Sequence, residues 1–189
     1  MRIVLMMVAA SAVTMAACKK AEPTPEMANA EIAVDDNAVV PAPMVPFTGG
    51  DGKMLGNVSV EDSSGGLVVT LAGTGMPAGV HGIHLHAVGK CEGPKFESAG
   101  GHWNPASKMH GSENPAGPHM GDLPNVTVAD DGSLTHSITV AGVTLAQLQD
   151  ADGTALVIHA QADDNKTDPS GNSGDRIACA VIAPALAGS

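Results

Sequence analysis

The amino-acid sequence predicts an all-β fold, an antiparallel sandwich or barrel. Apolar and polar residues alternate in several short runs, and turn residues such as those at 62–66 and 130–132 separate the runs. Only residues 144–150 have a pattern that is typical of one or two helical turns. Short strands between turns, with almost no helix, are typical of sandwiches and barrels.

The predicted strands lie between residues 49 and 182. Residues 154–160 and 177–182 are apolar throughout, which favours buried strands. Residues 87–124 are instead rich in Gly, Pro, Ser and Asn, and a loop of that length in a compact domain is typically functional. Four earlier or intervening runs alternate like half-buried strands, with apolar positions at Met54, Val58, Val60, Leu67, Val69, Leu71, Val126, Val128, Leu134, Ile138 and Val140.

Composition excludes some classes of function. The chain has 189 residues, which is enough for one ordinary domain and a terminal segment. Its 20 acidic and 9 basic residues give a formal net charge of −11, which argues against nucleic acid as a partner. With 2 Phe, 1 Trp and no Tyr, base stacking on aromatic side chains is also excluded.

The N-terminus has the pattern of a secretory signal peptide. In residues 1–17, Arg2 precedes an apolar stretch too short to span a bilayer as a helix, and small residues precede Cys18. A Cys after two small residues resembles a bacterial lipobox, so we predict that Cys18 is lipidated. The alternative is ordinary signal cleavage nearby, with Cys18 removed or free. Export to an oxidising compartment follows in either case, and lipidation of Cys18 leaves Cys91 and Cys179 as one candidate disulfide.

The sequence therefore predicts that the chain has three segments. Residues 1–17 are the signal peptide, residues 18–48 the lipidated Cys and a flexible tether rich in Pro and Ala, and residues 49–189 the β-domain. A first strand could form within residues 38–47. Pro41, Pro43 and Pro46 remove backbone donors there, so we expect any such strand to lie at a sheet edge.

Histidines are the strongest functional signal in the sequence. His84 and His86 are two residues apart in a strand-like stretch, so their side chains lie on one face. His159 lies in a buried strand. With four further candidates in the loop, the six histidines and one aspartate give more donors than one four-coordinate ion takes, which predicts two metals, and imidazole suits copper and zinc. The candidate ligands in all are His84, His86, His102, His110, His119, Asp122 and His159.

Several segments around these histidines resemble the copper–zinc superoxide dismutase family, and its bacterial secreted branch in particular. The resemblance covers residues 49–182, most of the chain after the tether. It is carried by residues 81–86 (HGIHLH), 89–91 (GKC), 98–105 (SAGGHWNP), 110–111 (HG), 119–125 (HMGDLPN) and 171–179 (GNSGDRIAC).

The resemblance implies a fold and a role for each residue of the site. The fold would be an Ig-like, Greek-key β-sandwich or barrel with two long functional loops. One copper and one zinc would be bound per subunit, and His102 would bridge them as well as carry a proton in catalysis. Arg176 would guide the substrate anion, Asp163 would link a copper histidine to a zinc histidine, and Cys91 would pair with Cys179. The implied ligands are His84, His86, His102 and His159 for copper, and His102, His110, His119 and Asp122 for zinc.

The resemblance also implies an activity. The chain would dismutate superoxide to oxygen and hydrogen peroxide by alternating reduction and oxidation of its copper, beside a structural zinc, as an antioxidant defence in the periplasm. Superoxide would be its small-molecule partner, and a lipid anchor its only contact with a membrane, with the outer membrane favoured because Lys19 gives no reason for inner-membrane retention. The chain could be a monomer or a homodimer.

Two other functions fit the same histidines. A copper or zinc buffer would bind metal without dismutation. A dinuclear metallohydrolase is disfavoured because Val88, rather than an acidic residue, occupies the next alternate position after His84 and His86. Two further histidines are expected outside the site: His81 is out of phase with His84, and His136 is in phase with Leu134 and Ile138.

Substrate attraction poses a problem for an acidic protein. Superoxide is an anion, yet Lys90, Lys95, Lys108, Lys166 and Arg176 all lie in the loop segments around the predicted site. Charges more than about 8–10 Å away are largely screened at physiological salt, so these local cations are expected to steer the anion.

Overall fold

The computed structural model describes residues 42–186, and these residues form the predicted all-β fold. Their one α-helix is short, α1 (Leu145–Leu148), and lies within the stretch for which helical turns were predicted. Among these residues no helix is long and apolar enough to cross a membrane. The predicted signal peptide, Cys18 and most of the predicted tether lie outside the described residues. The strands are β1 (Met44–Gly49), β2 (Met54–Ser63), β3 (Gly66–Gly73), β4 (Gly79–His81), β5 (Ile83–His86), β6 (Val126–Val128), β7 (Leu134–Ala141), β8 (Thr154–His159) and β9 (Arg176–Ala183).

The strands form one seven-stranded antiparallel sheet in the order β5-β8-β9-β1-β2-β3-β7, and β4 pairs with β6. Neighbours such as β3 and β7 or β5 and β8 are distant in sequence, as Greek-key connections require. The alternation read from the sequence sets the register. Val58 faces Leu71 across β2 and β3, and Val69 faces Ile138 across β3 and β7, with all four side chains buried in the core.

The first strand corrects two expectations. β1 pairs with both β2 and β9, so it is an internal strand rather than an edge strand, and it begins at Met44, within the segment predicted as tether, rather than at residue 49. Only Thr48 and Gly49 pair with β9. Pro46 lies in the half of β1 that pairs with β2 alone, which is why a strand containing proline can enter the sheet at this position.

A long loop follows each of the two strands that bear candidate ligands, β5 and β8. Residues 87–125 follow β5 and residues 160–175 follow β8. Two isolated bridges, between His84 and Asp122 and between His86 and His102, attach the first loop to the edge of β5.

The first loop is also fixed to the last strand by a disulfide between Cys91 and Cys179. These residues are 88 positions apart in the sequence, and their Cα atoms are 5.7 Å apart. In the chain-entropy treatment, a cross-link that closes a loop of this length stabilises the fold by about 4 to 5 kcal/mol. The disulfide therefore helps to order a loop that has little apolar surface of its own.

Candidate metal site

Strands β5 and β8 place three histidines at the start of the site. His84 and His86 lie on β5, opposite Val157 and Ala155 of β8. His159 ends β8, directly after an irregularity in the ladder between β8 and β9. Such an irregularity changes the direction of the strand and re-aims the side chain that follows it. All three histidines are buried.

Four histidines converge with one ring nitrogen each. Ligand atoms of His84, His86, His102 and His159 all lie within 4.8 Å of one another. The ring nitrogens of these residues that are buried without a hydrogen-bond partner are His84 Nδ1, His86 Nε2, His102 Nε2 and His159 Nε2. Because a buried polar atom without a partner is costly, four of them in one place indicate that a cation is meant to satisfy them.

The second nitrogen of each of these rings is held by the protein. His84 Nε2 lies 2.6 Å from Asp163 Oδ2, and His102 Nδ1 lies 2.8 Å from Asp122 Oδ1. The Nδ1 atoms of His86 and His159 lie 3.0 and 3.2 Å from the carbonyl oxygens of Gly100 and Gly174. Such contacts fix the ring orientation and the tautomer, and the unpartnered nitrogen is left to face the centre of the cluster.

A second group of ligand atoms surrounds Asp122. Its Oδ1 atom lies 2.8, 3.0 and 3.1 Å from the Nδ1 atoms of His102, His110 and His119. Backbone N–H groups of Gly111 and His119 donate to the Oδ2 atom. His102 belongs to both groups because its Nε2 faces the first and its Nδ1 faces the second. One carboxylate and three imidazoles are a donor set that suits zinc.

Asp163 links the two groups from behind. Its carboxylate contacts His84 Nε2 at 2.6 Å and His110 Nε2 at 3.1 Å. The backbone N–H of Asn165 donates to Asp163 Oδ1 at 2.6 Å. The structure thus places Asp163 between a histidine of each group, which is the position that the resemblance implies for it.

Burial keeps the histidines in the form that can bind a metal. It lowers the pKa of His86 to about 2, that of His159 to about 3 and that of His102 to about 4, so these rings are neutral at neutral pH. Neutral imidazole is the form that coordinates metals. Burial alone would raise the pKa of Asp163, but hydrogen bonds from His84 and His110 lower it to about 2, so this carboxylate is charged.

The first group opens to solvent through a cavity of about 370 Å³. His86, His102, His119, His159 and Arg176 are among the residues that line it. The Arg176 guanidinium is held in the wall, because its Nη1 atom donates to the Phe96 carbonyl oxygen and its Nη2 atom to the Gly100 carbonyl oxygen, both at 2.6 Å. A small anion that enters this cavity therefore meets the arginine beside the converging nitrogens.

The remaining histidines lie outside both groups. His81 is buried, with its ring nitrogens 2.8 Å from the His159 carbonyl oxygen and 2.9 Å from the Pro77 carbonyl oxygen. His136 is half-buried on β7, opposite Leu71. Neither ring contributes an atom to the two groups of candidate ligand atoms described above.

Sequence reasoning missed the groups that support the ligands. The carbonyl oxygen of Gly100 accepts from both His86 and Arg176, and no side chain marks it in the sequence. Asn125 pairs with the backbone of Asp163, and only its place within the segment 119–125 could have drawn attention to it.

The fold and the site together define a class: an all-β protein with a buried two-part histidine and aspartate centre suited to two metal ions. Residues 54–182 match a family model that is described as "Copper/zinc superoxide dismutase (SODC)". This chain belongs to the copper/zinc superoxide dismutase family, as the resemblance in its sequence indicated.

Individual relatives agree with this membership. The chain is 41% identical over 138 residues to the copper–zinc superoxide dismutase 2 of Aquifex aeolicus. The alignment covers 70% of this chain and 81% of that protein. It is 42% identical over 140 residues to a copper–zinc superoxide dismutase of Caulobacter vibrioides, with 70% of this chain and 80% of that protein covered. A crystal structure of a superoxide dismutase-like protein from Bacillus subtilis superposes with a TM-score of 0.71 at 39% identity, over 74% of this chain and 97% of that one.

Proposed function

We propose that this chain is a superoxide dismutase with copper in the first group of histidines and zinc in the second. His84, His86, His102 and His159 hold the copper, and His102, His110, His119 and Asp122 hold the zinc. The observation that carries the proposal is the convergence of four buried ring nitrogens without partners on a cavity lined by Arg176. Imidazole donors suit copper, and the carboxylate of Asp122 suits zinc.

The protein's own groups bind and orient the reactants. Bound copper supplies one-electron oxidation and reduction, so that two superoxide ions and two protons give one oxygen and one hydrogen peroxide. Arg176 attracts the anion and positions it in the cavity. His102 lines the cavity, and its Nε2 atom can carry a proton to the product while its Nδ1 atom stays in the second group beside Asp122.

We further propose that the chain is exported and lipid-anchored through Cys18, and that it protects the periplasm against superoxide. The signal-like residues 1–17 and the disulfide between Cys91 and Cys179 support export to an oxidising compartment. Intact mass of the protein from membranes of an expressing bacterium tests the anchor: the expected mass carries a lipid on Cys18. Secretion of an unlipidated protein that lacks Cys18 would contradict it.

The experiment that tests the function combines metal analysis and kinetics. The purified protein should take up one copper and one zinc per chain, measured by mass spectrometry of the metals, and should then dismutate superoxide in a pulse-radiolysis assay. His86→Gln should lose copper and activity, since His86 has no contact with the second group beyond His102, whereas zinc should remain. Metal uptake without dismutation would instead identify a metal buffer.

A further inference from the structure

One polar side chain joins the two long loops behind the candidate metal site. Asn125 Nδ2 donates to the Asp163 carbonyl oxygen at 2.8 Å, and Asn125 Oδ1 accepts from the Asp163 backbone N–H at 2.8 Å. The amide thus satisfies both backbone groups of a single residue across 38 positions of sequence. No other residue pair in the described part of the chain has a side-chain amide bonded to both backbone groups of a partner so distant.

Asn125 is itself held firmly. It lies between Leu123 and Val126, which are 3% and 0% exposed, and β6 begins directly after it. Asp122, the carboxylate of the second group, is three positions earlier in the same short segment. The segment therefore presents a candidate ligand and the amide three residues apart, beside two buried apolar side chains.

The residue that Asn125 holds is the one that links the two metal groups. The Asp163 carboxylate contacts His84 and His110, and its side chain is 1% exposed. Displacement of the Asp163 backbone would move both carboxylate oxygens relative to those rings. Supporting carboxylates of this kind orient the ligand rings and set their affinity for metal.

We infer that Asn125 is a positioning residue for both metals, which acts through Asp163 by fixing its backbone against the segment that carries Asp122. This inference rests on the proposed metal site. It assigns to Asn125 a role in fixing the ring orientations of His84 and His110, although Asn125 contacts neither ring in the structure.

The test is a double-mutant cycle read by zinc affinity. Asn125→Ala should lower the affinity for zinc by about 10-fold in chelator competition, the lower end of the loss that follows removal of a group bonded directly to a ligand ring, because Asn125 acts one step further out and Asn165 still contacts Asp163. In the Asp163→Asn background the same change should lower affinity by less than about threefold, because the residue through which it acts is already altered. Additive losses would overturn the inference.

If the alanine variant folds poorly, Asn125→Asp can replace it, because Asp has nearly the same shape as Asn. It retains the acceptor for the Asp163 N–H but places a carboxylate oxygen against the Asp163 carbonyl, so it should weaken zinc binding to a similar degree. Full affinity in this folded variant would contradict the proposed role.

Asn114→Ala is the matched control. Asn114 also joins the two loops, because its Nδ2 atom donates to the Lys166 carbonyl oxygen at 3.3 Å, but it does not contact Asp163. Its zinc affinity should stay within about threefold of the unchanged protein, since it leaves the supporting carboxylate in place. An equal loss in Asn114→Ala and Asn125→Ala would mean that any link between the loops suffices, and the specific role of Asn125 would fall.

A readout on the metal-free protein separates this inference from the proposed function. The ring N–H signals of His84 and His110, measured by NMR, should shift or broaden in Asn125→Ala and stay unchanged in Asn114→Ala. If the unchanged protein takes up no zinc, the proposed function fails, and the NMR result still decides whether Asn125 orders Asp163. Unchanged ring signals in Asn125→Ala would refute the inference even where zinc binds normally.

Discussion

Mild acid should unfold the metal-free protein, because several of its buried histidines resist protonation only while it is folded. An unfolded histidine has a pKa of about 6.5. Burial lowers the pKa values of His86, His159 and His102 to about 2, 3 and 4 in the fold. Below pH 6.5 the unfolded chain therefore binds more protons than the folded one, and the free energy of unfolding falls as the pH falls.

The expected loss is large. The three histidines together lower the free energy of unfolding by about 4 kcal/mol per pH unit near pH 5, and by about 7 kcal/mol between pH 7 and 4.5. This is comparable with the whole stability of an ordinary domain, about 5–15 kcal/mol. Burial also lowers the pKa of His84, which adds to the same trend. Below pH 3.8, protonation of Asp163 removes further stability, because its pKa in the fold lies at about 2.

Urea unfolding of the metal-free protein at several pH values, followed by circular dichroism, measures this loss. The control is His86→Gln, which removes one of the three titrating groups and should reduce the slope near pH 5 by about a third. A free energy of unfolding that stays constant from pH 7 to pH 4.5 would refute the reasoning, since it would mean that these rings take up protons within the fold.

Two further predictions concern single residues of the site. Arg176→Ala should lower kcat/KM for superoxide by about tenfold in pulse radiolysis, because the guanidinium attracts the anion, and kcat/KM of the unchanged enzyme should fall as ionic strength rises. Arg176→Lys, which keeps the charge, should lose less. An unchanged rate in both tests would remove the steering argument. Gly171→Ala should destabilise the protein by about 3 kcal/mol or more and impair metal uptake, since Gly171 has φ +62° and an added Cβ would overlap Asp163 Oδ1. Gly52→Ala is the control, because φ is +80° there but nothing lies within 4 Å of the added Cβ. It should destabilise the protein by about 1–2 kcal/mol and leave metal uptake normal. Equal destabilisation in the two variants would show that the backbone strain of the positive φ alone matters.

Most of the fold could be predicted because its strands obey a simple alternation. In β3 and β7 buried side chains such as Leu67 and Val140 alternate with more exposed ones, as the sequence pattern predicts. In β2 the alternation holds for Val58 and Val60, whereas Met54, the first apolar position of that run, is exposed. The first strand could not be predicted in the same way. Pro46 indicated an edge, but the pairing of β1 changes along its length, and only Thr48 and Gly49 pair with β9. A sequence pattern does not show where along a strand its second neighbour begins.

The candidate ligands could be predicted because their side chains are chemically distinctive. Histidine is scarce in most domains, and the sequence predicts that six of the eight here belong to one site. The groups that orient them could not be predicted, because backbone carbonyls such as that of Gly100 have no residue type of their own. Asn125 is an ordinary loop residue until the fold brings Asp163 to it from the second loop. Support of this kind depends on tertiary structure, whereas the metal donors depend on residue type.

The charge of the protein is reconciled with an anionic substrate at the level of the cavity. Five basic residues were expected around the site, but Arg176 is the charged residue that lines the cavity in which the ring nitrogens converge. Lys95 lines an adjoining cavity of about 510 Å³. The acidic residues Glu97 and Asp175 line the same cavity, and Arg176 lines both cavities. The carboxylates nearest the histidines, Asp122 and Asp163, are paired with imidazoles. Since exposed charges beyond about 8–10 Å are largely screened at physiological salt, the distant acidic residues have little influence inside the cavity. The local balance is therefore set by Arg176 in the wall of that cavity and by Glu97 and Asp175 in the adjoining one.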